Sequence, residues 1–190
     1  MSVDFAAQRA AMVEGQVRTS DVTDYAVQDA MRTVRREELL PPEKRHLAYA
    51  DAEAEYAPGR WLLKGRDVGK LLQALGPRRG ERALAIAAPY AAAVLEAMGL
   101  SVTRLADAEL QAPAGDFDVV ICEGAVTTTP TSWREALSKQ GGRLGVVERS
   151  GPIGRAKLYL RTEADFGSRD LFDCAPPLMA GFEPKRAFAF

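Results

Sequence analysis

The sequence predicts an α/β fold built around a mostly parallel sheet. From about residue 82 onward, short apolar runs alternate with helical stretches. One of those runs, FDVVICEG (117–124), is continuously apolar between Asp116 and Gly124. Strands alternating with helices imply parallel pairing through crossovers, and an unbroken apolar strand is one covered on both faces. A third observation bounds the answer: 190 residues, 47% hydrophobic and 27% charged, suit a single globular domain with a core of its own.

The elements follow in order. DFAAQRAAMVEGQVR (4–18) places Phe5, Met12 and Val13 on one helical stripe, with Gly15 weakening its end. Ser20 and Thr23 are N-cap candidates for a second helix over about 24–34, with Ala26, Val27, Ala30, Met31 and Val34 facing inward. Pro41-Pro42 stops helix propagation, and EKRHLAYADAEAEYAPGR then reads as irregular chain ending in a Pro58-Gly59 turn. A third helix over about 67–75 closes at Gly76-Pro77. RALAIA (82–87) is a strand, Pro89 marks a turn, and a helix runs over 90–98. SVTRLAD (101–107) alternates as a strand; after the central run come a helix, WREALSKQ (133–140), and a strand, RLGVVE (143–148). GRAKLYLRTE (154–163) alternates cleanly, with Ala156, Leu158 and Leu160 opposite Lys157, Tyr159 and Arg161. AFAF (187–190) reads as a last edge strand. The expected organisation is one domain, with a helical N-terminal segment (1–58) ahead of the α/β core (59–190).

Composition excludes several function classes. Lys and Arg number 25 against 26 Asp and Glu, for a formal charge of −1. That balance gives no reason to expect nucleic acid or an anionic membrane as partner. No apolar run approaches a membrane span, and charge enters the N-terminus too early for a secretory signal, so a cytoplasmic location is expected. Cys122 and Cys174 are too few and too far apart for a disulfide framework or a thiolate zinc site. Cys122, inside an apolar run, reads as a small buried hydrophobe. His46 is the lone histidine, so only it could serve a histidine relay or metal site, and a structural role is expected instead. Arg35, Arg36, Lys44 and Arg45, interrupted by Glu37 and Glu38, read as a solvated basic face. Trp61 and Trp133 read as core residues.

Several segments, in this order, carry a resemblance: MVEGQVRTSDVTDYAVQDAM, PPEKRHLAYAD, GRWLLKGRDVGKLLQAL, FDVVICEGAV, GGRLGVVERSGPIGRAKLY and LFDCAPPLMAGFEPKRAFAF. Together they span nearly the whole chain, and they resemble the bacterial form of the protein-L-isoaspartate (D-aspartate) O-methyltransferase family. The resemblance implies a Rossmann-like class I methyltransferase fold, here shortened, whose mostly parallel sheet carries one or more antiparallel edge strands. It also implies S-adenosylmethionine as donor of a methyl group to the side-chain carboxylate of L-isoaspartyl residues, which starts their repair.

Four places depart from the family pattern. The family's first strand and turn run roughly V-L-D/E-[VI]-G-x-G-x-G-Y, with glycines that let the backbone approach the cofactor. Here the stretch is Leu84-Ala85-Ile86-Ala87-Ala88-Pro89-Tyr90, shorter by about two residues, with Ala85 in place of the acid. The carboxylate that would hold the ribose diol falls on Ala106, with Asp107 beside it as a possible substitute or a solvated loop acid. The interval from Asp107 to Asp116 is too short for the helix and strand the family fits there. The hydroxyl of a G-Q-T-x-S-Q-P-like stretch becomes Leu63 in GRWLLKG, with Trp61 at the other hydroxyl position, and leucine donates no hydrogen bond. Glu123, at the carboxyl edge of the central strand, is the best polar candidate that survives, with loop capping as its alternative role. Thr127–Thr129 offers hydroxyls at the same edge.

Two readings follow. In one, the chain is a degenerate family member that has lost S-adenosylmethionine, with Ala88, Pro89 and Tyr90 filling its place, and acts as a binding or interaction module. In the other it is an active carboxyl methyltransferase. For the first, the N-terminal helices are the surface expected for a protein partner or a second copy of the chain. No metal is expected in either.

Overall fold

A computed structural model describes residues 3–105, 107–111 and 113–184. Helix α1 (Phe5–Met12) starts where the Asp4 carboxylate accepts from the Ala7 N–H at 3.0 Å. Past Met12 it widens into a π-turn (Val13–Val17) that contains Gly15, then tightens into a 3₁₀ turn (Arg18–Ser20) that ends on Asp21 at φ 64°. Helix α2 spans Tyr25–Thr33 and is capped by Asp24, whose carboxylate accepts from Ala26 N–H at 2.9 Å and Val27 N–H at 3.2 Å. That corrects the expectation of Ser20 or Thr23. An anionic cap gains from the helix dipole, while the Thr23 and Asp24 amides are drawn to the Gln73 side-chain oxygen at 2.6 and 2.9 Å.

The stretch expected to be irregular is ordered. It forms 3₁₀ turns at Arg36–Leu39 and Pro42–Leu47, then a small antiparallel hairpin of β1 (Ala54–Ala57) and β2 (Arg60–Leu62). The hairpin turns through Gly59 at φ +66°, where a Cβ would sit 2.5 Å from that of Ala180. Helix α3 (Gly65–Leu75) stops at Gly76, which takes the left-handed conformation at φ 53°.

The main sheet has six strands: β3 (Arg82–Ile86), β4 (Ser101–Arg104), β5 (Val119–Val126), β6 (Arg143–Glu148), β7 (Gly154–Arg161) and β8 (Phe166–Cys174), in spatial order β4-β3-β5-β6-β7-β8. The first four are parallel, and β7 and β8 close the sheet as an antiparallel hairpin. Helix α4 (Pro89–Ala97) crosses from β3 to β4. Helix α5 (Thr131–Glu135) is a short segment that ends well before the expected residue 140. The sequence signal missed β8, because FGSRDLFDC has no apolar period; an edge strand pairs through its backbone whatever its side chains. Ala156 and Leu158 face inward as expected, but Leu160 is 40% exposed near the end of its strand.

The sheet's faces have unequal cover. Ala83, Ala85, Val119, Ile121 and Val147 pack beneath α3, α4 and the N-terminal layer. Leu84, Ile86, Val120, Cys122, Leu144 and Val146 pack against Trp133, Leu110, Met179 and Phe182. Trp133 and Cys122 are core residues as expected, and Trp61 is half-buried. Between β4 and β5 the described residues hold a 3₁₀ turn (Asp107–Glu109) and no strand, so β4 is the edge of the sheet. Among the described residues no helix is long and apolar enough to cross a membrane. AFAF (187–190) lies outside the described residues.

Candidate functional site

Open parallel sheets place ligands beyond the carboxyl ends of their strands. Here that edge is formed by Ala87, Ala88 and Pro89 after β3, Arg104 and Leu105 after β4, and the end of β5. A cleft of about 110 Å³ opens beside it, lined by Tyr56, Ala85, Ala87, Ala88, Pro89, Arg104 and Leu105. Its polar side chains are committed elsewhere. The Tyr56 hydroxyl donates to the Ala87 carbonyl at 3.2 Å, and the Arg104 guanidinium binds Glu96 at 2.8 Å and the Pro89 carbonyl at 3.3 Å.

The turn keeps a glycine-like backbone without glycine. Ala87 sits at φ 45°, one of two described non-glycine residues with positive φ, a conformation that costs an L-residue about 1–2 kcal/mol. Pro89 then takes the first helical position, where its missing N–H is harmless. Tyr90 does not line the cleft. Its ring is fully buried on the other side of the turn, stacked under the Arg36 guanidinium at 4.6 Å.

Glu123, the polar candidate expected at this edge, is not among the residues that line the cleft. It lies within β5 rather than after it, where the register with β6 slips between Ile121 and Ala125; such bulges re-aim side chains. Its carboxylate is fully buried. It accepts from the Ala91 N–H at 2.6 Å and the Leu63 N–H at 3.3 Å, with a lesser interaction from the Tyr90 N–H. Burial pushes its pKa up to about 7, and the nearby Arg36 charge and these amides hold it from rising further. The first-turn donors of α4 are therefore spent inside the chain: Pro89 has none, Tyr90 and Ala91 face Glu123, and the Ala92 N–H returns to the Ala88 carbonyl at 2.9 Å.

Arg36 overturns the expectation of a solvated basic face. It is fully buried and donates to the Ala48 and Leu63 carbonyls. Arg35 and Arg45 remain exposed, and Lys44 pairs with Glu55 at 2.8 Å. Spacing could not single out Arg36, because its neighbours carry the same charge and only the fold shows which one turns inward. The adjacent Glu37 is also buried, held by Arg9 at 3.1 Å and by the Tyr49 hydroxyl.

The other sequence candidates do not converge on the cleft. The Leu63 side chain is packed in the core and contributes only its backbone. Asp107 is a solvated acid, 74% exposed and paired with Arg60 at 3.0 Å; Ala106 lies outside the described residues. The Thr127 hydroxyl donates to the Phe182 carbonyl, and that of Thr129 to Glu148 at 2.6 Å. His46 is exposed on the Pro42–Leu47 turn. Among the described residues no cluster could hold a metal ion.

No protein-family model matches the chain. It is 32% identical over 194 residues to a protein-L-isoaspartate O-methyltransferase of Methylorubrum populi, covering 86% of this chain and 91% of that one. The chain belongs to the protein-L-isoaspartate O-methyltransferase family. A namesake from Methylorubrum extorquens is also 32% identical, over 88% of this chain and 86% of its own, and one from Koribacter versatilis is 28% identical over 96% of both. The fold agrees with solved members. A structure described as a protein-L-isoaspartate O-methyltransferase from Plasmodium falciparum, in complex with S-adenosyl-L-homocysteine, superposes with a TM-score of 0.70 at 12% identity, over 94% of this chain and 99% of that one. A second family structure superposes at 0.69 with 16% identity, over 92% of this chain and 67% of that one.

Proposed function

We propose that this family member has lost the S-adenosylmethionine site and acts as a binding module on the inherited fold. The observation that carries this reading is the cleft at the carboxyl ends of β3 and β4. At about 110 Å³ it is well below the roughly 300–1,000 Å³ of ordinary ligand pockets. A nucleoside donor needs an acceptor for its ribose hydroxyls, and the residue that falls at that acid's place after β4 is Ala106, whose side chain offers none. Asp107 beside it is exposed and paired with Arg60. The residues present do not fit the donor, and without a donor held and aimed there is no methyl transfer to derive.

A second reading, an active carboxyl methyltransferase for L-isoaspartyl residues, is favoured by one feature. Ala87 keeps the left-handed turn at φ 45° that a glycine loop would use. Calorimetric titration of the purified chain with S-adenosylmethionine and S-adenosylhomocysteine separates the two. The expected outcome is no heat of binding and no thermal shift. Micromolar binding would falsify the degenerate reading, and methylation of an isoaspartyl peptide would establish the enzyme.

A further inference from the structure

We propose that the cleft between α3 and the end of β8 binds a small zwitterion, a free α-amino acid, whose ammonium pairs with Asp67 and whose carboxylate meets Lys70. The cleft lies apart from the cofactor edge at β3 and β4. The proposal therefore goes beyond the loss of that site, and it supplies the class of ligand that a binding module would take.

The cleft has a volume of about 270 Å³ and opens where the first turns of α3 face Phe172 and Cys174 of β8 and the turn at Ser20 and Asp21. Gly154 pairs with Cys174 and Arg155 with Glu148, which sets the end of β8 level with the carboxyl end of β6. That is the sheet edge where open α/β folds hold ligands, here on the side away from β4. The wall of the cleft carries a carboxylate without a donor. Asp67 is only 6% exposed, yet no hydrogen bond reaches its carboxylate among the described residues. Its ionic contact is the Arg66 Nε at 3.8 Å, and that guanidinium is taken by Asp51 at 2.9 Å. Lys64 leans towards Glu53 at 3.9 Å, and Lys70 lies 4.3 Å over the Phe172 ring with no ion pair among the described residues. Burial raises the Asp67 pKa to about 6 despite the charges of Arg66, Lys64 and Lys70 nearby, the mark of an anion short of a partner. Buried carboxylates are tolerated when they are hydrogen-bonded, so the missing donor has to enter from the cleft that this side chain lines.

Charge decides what kind of molecule that is. A simple cation would meet Asp67 but stand among Lys64, Arg66 and Lys70. A simple anion would meet Lys70 but face Asp67 and Asp21. Asp67 and Lys70 are three residues apart on α3 and share one face of the helix. A molecule with its ammonium and carboxylate a bond or two apart answers both.

L-alanine is the probe, with ethylamine and propionate as its two halves. Followed by amide NMR at equal ionic strength, alanine should shift the signals of residues 64–70 and 172–174 along a saturable curve, and neither half should do so. Asp67→Asn keeps the shape and removes the charge, and should weaken alanine by about tenfold or more. Lys70→Met should weaken it as well. No saturable shift up to about 10 mM, a half as effective as the whole, or equal binding by wild type and Asp67→Asn would overturn the proposal. Should Asp67→Asn not fold, Lys70→Met and the contrast between alanine and its halves on the wild type carry the test. S-adenosylhomocysteine has an amino-acid end of its own. A heat of binding that Asp67→Asn abolishes would belong to this cleft, and one that survives would belong to the cofactor edge, so the two readings fail separately.

Discussion

Ala87 is where the residue scale speaks most plainly. Its φ of 45° is strained for alanine, and glycine adopts it freely at an entropic cost of roughly 0.5–1 kcal/mol. Ala87→Gly should therefore stabilise the chain, by about 0.5–1 kcal/mol in urea unfolding; a loss of stability would show that the turn is relaxed. Two carboxylates set opposite pH dependences. Burial raises Glu123 to about 7, so the folded state binds a proton that the unfolded chain has released. Its contribution is present below about pH 4.5 and is lost as pH rises through about 7. Glu148 is held down to about 2: its burial is outweighed by Lys157, Thr129 and Tyr159. Its contribution is present above about pH 4.5 and is lost as pH falls towards 2. Unfolding curves from pH 3 to 8 should show the stability of wild type relative to Glu123→Gln falling between about 5 and 7.5. Relative to Glu148→Gln it should fall below about 4. Parallel curves for all three proteins would refute both assignments. The sequence marked Glu123 as a polar group in an apolar run, but its partners were hidden. They are backbone amides, which carry no residue-type signal, and the charge nearby is one arginine in a charged stretch.

At the scale of the element, α5 shows how a short helix is held by one side chain. Trp133 is fully buried, its indole N–H donates to the Leu110 carbonyl at 2.6 Å, and its ring meets Phe182 at 5.3 Å. It ties together α5, the segment after β4 and the strap that ends the described chain. Trp133→Phe keeps most of the apolar area but leaves a buried carbonyl without its donor, at a cost of about 1–3 kcal/mol. Trp133→Ala should cost about 3–5 kcal/mol. Hydrogen exchange should show the loosening concentrated at 107–111 and 178–183, and uniform loosening would argue against this tie. The strands β3, β5 and β6 were legible because burial on both faces leaves an apolar run. β8 and the β1–β2 hairpin were not, because edge strands and short hairpins are set by backbone pairing and by partners distant in sequence.

Over the whole molecule, the chain contains no asparagine, and none of its aspartates precedes glycine or serine. Asparagine is thermolabile, and succinimide formation at aspartate is fastest where a small residue follows. Prolonged warming should therefore leave this chain a poor methyl acceptor for an active isoaspartate methyltransferase; strong labelling of an aged sample would contradict this. The sequence by itself determined the family, the parallel core and the missing glycines and acid of the cofactor turn. These are local or order-dependent features, written into spacing and residue type. Only the tertiary structure decided that Arg36 turns inward, that Tyr90 lies behind the turn rather than in the cleft, and that Glu123 closes the α4 N-terminus. Those outcomes depend on which buried donors and charges meet across the fold, and a buried charge is tolerated only where distant parts of the chain bring it a partner.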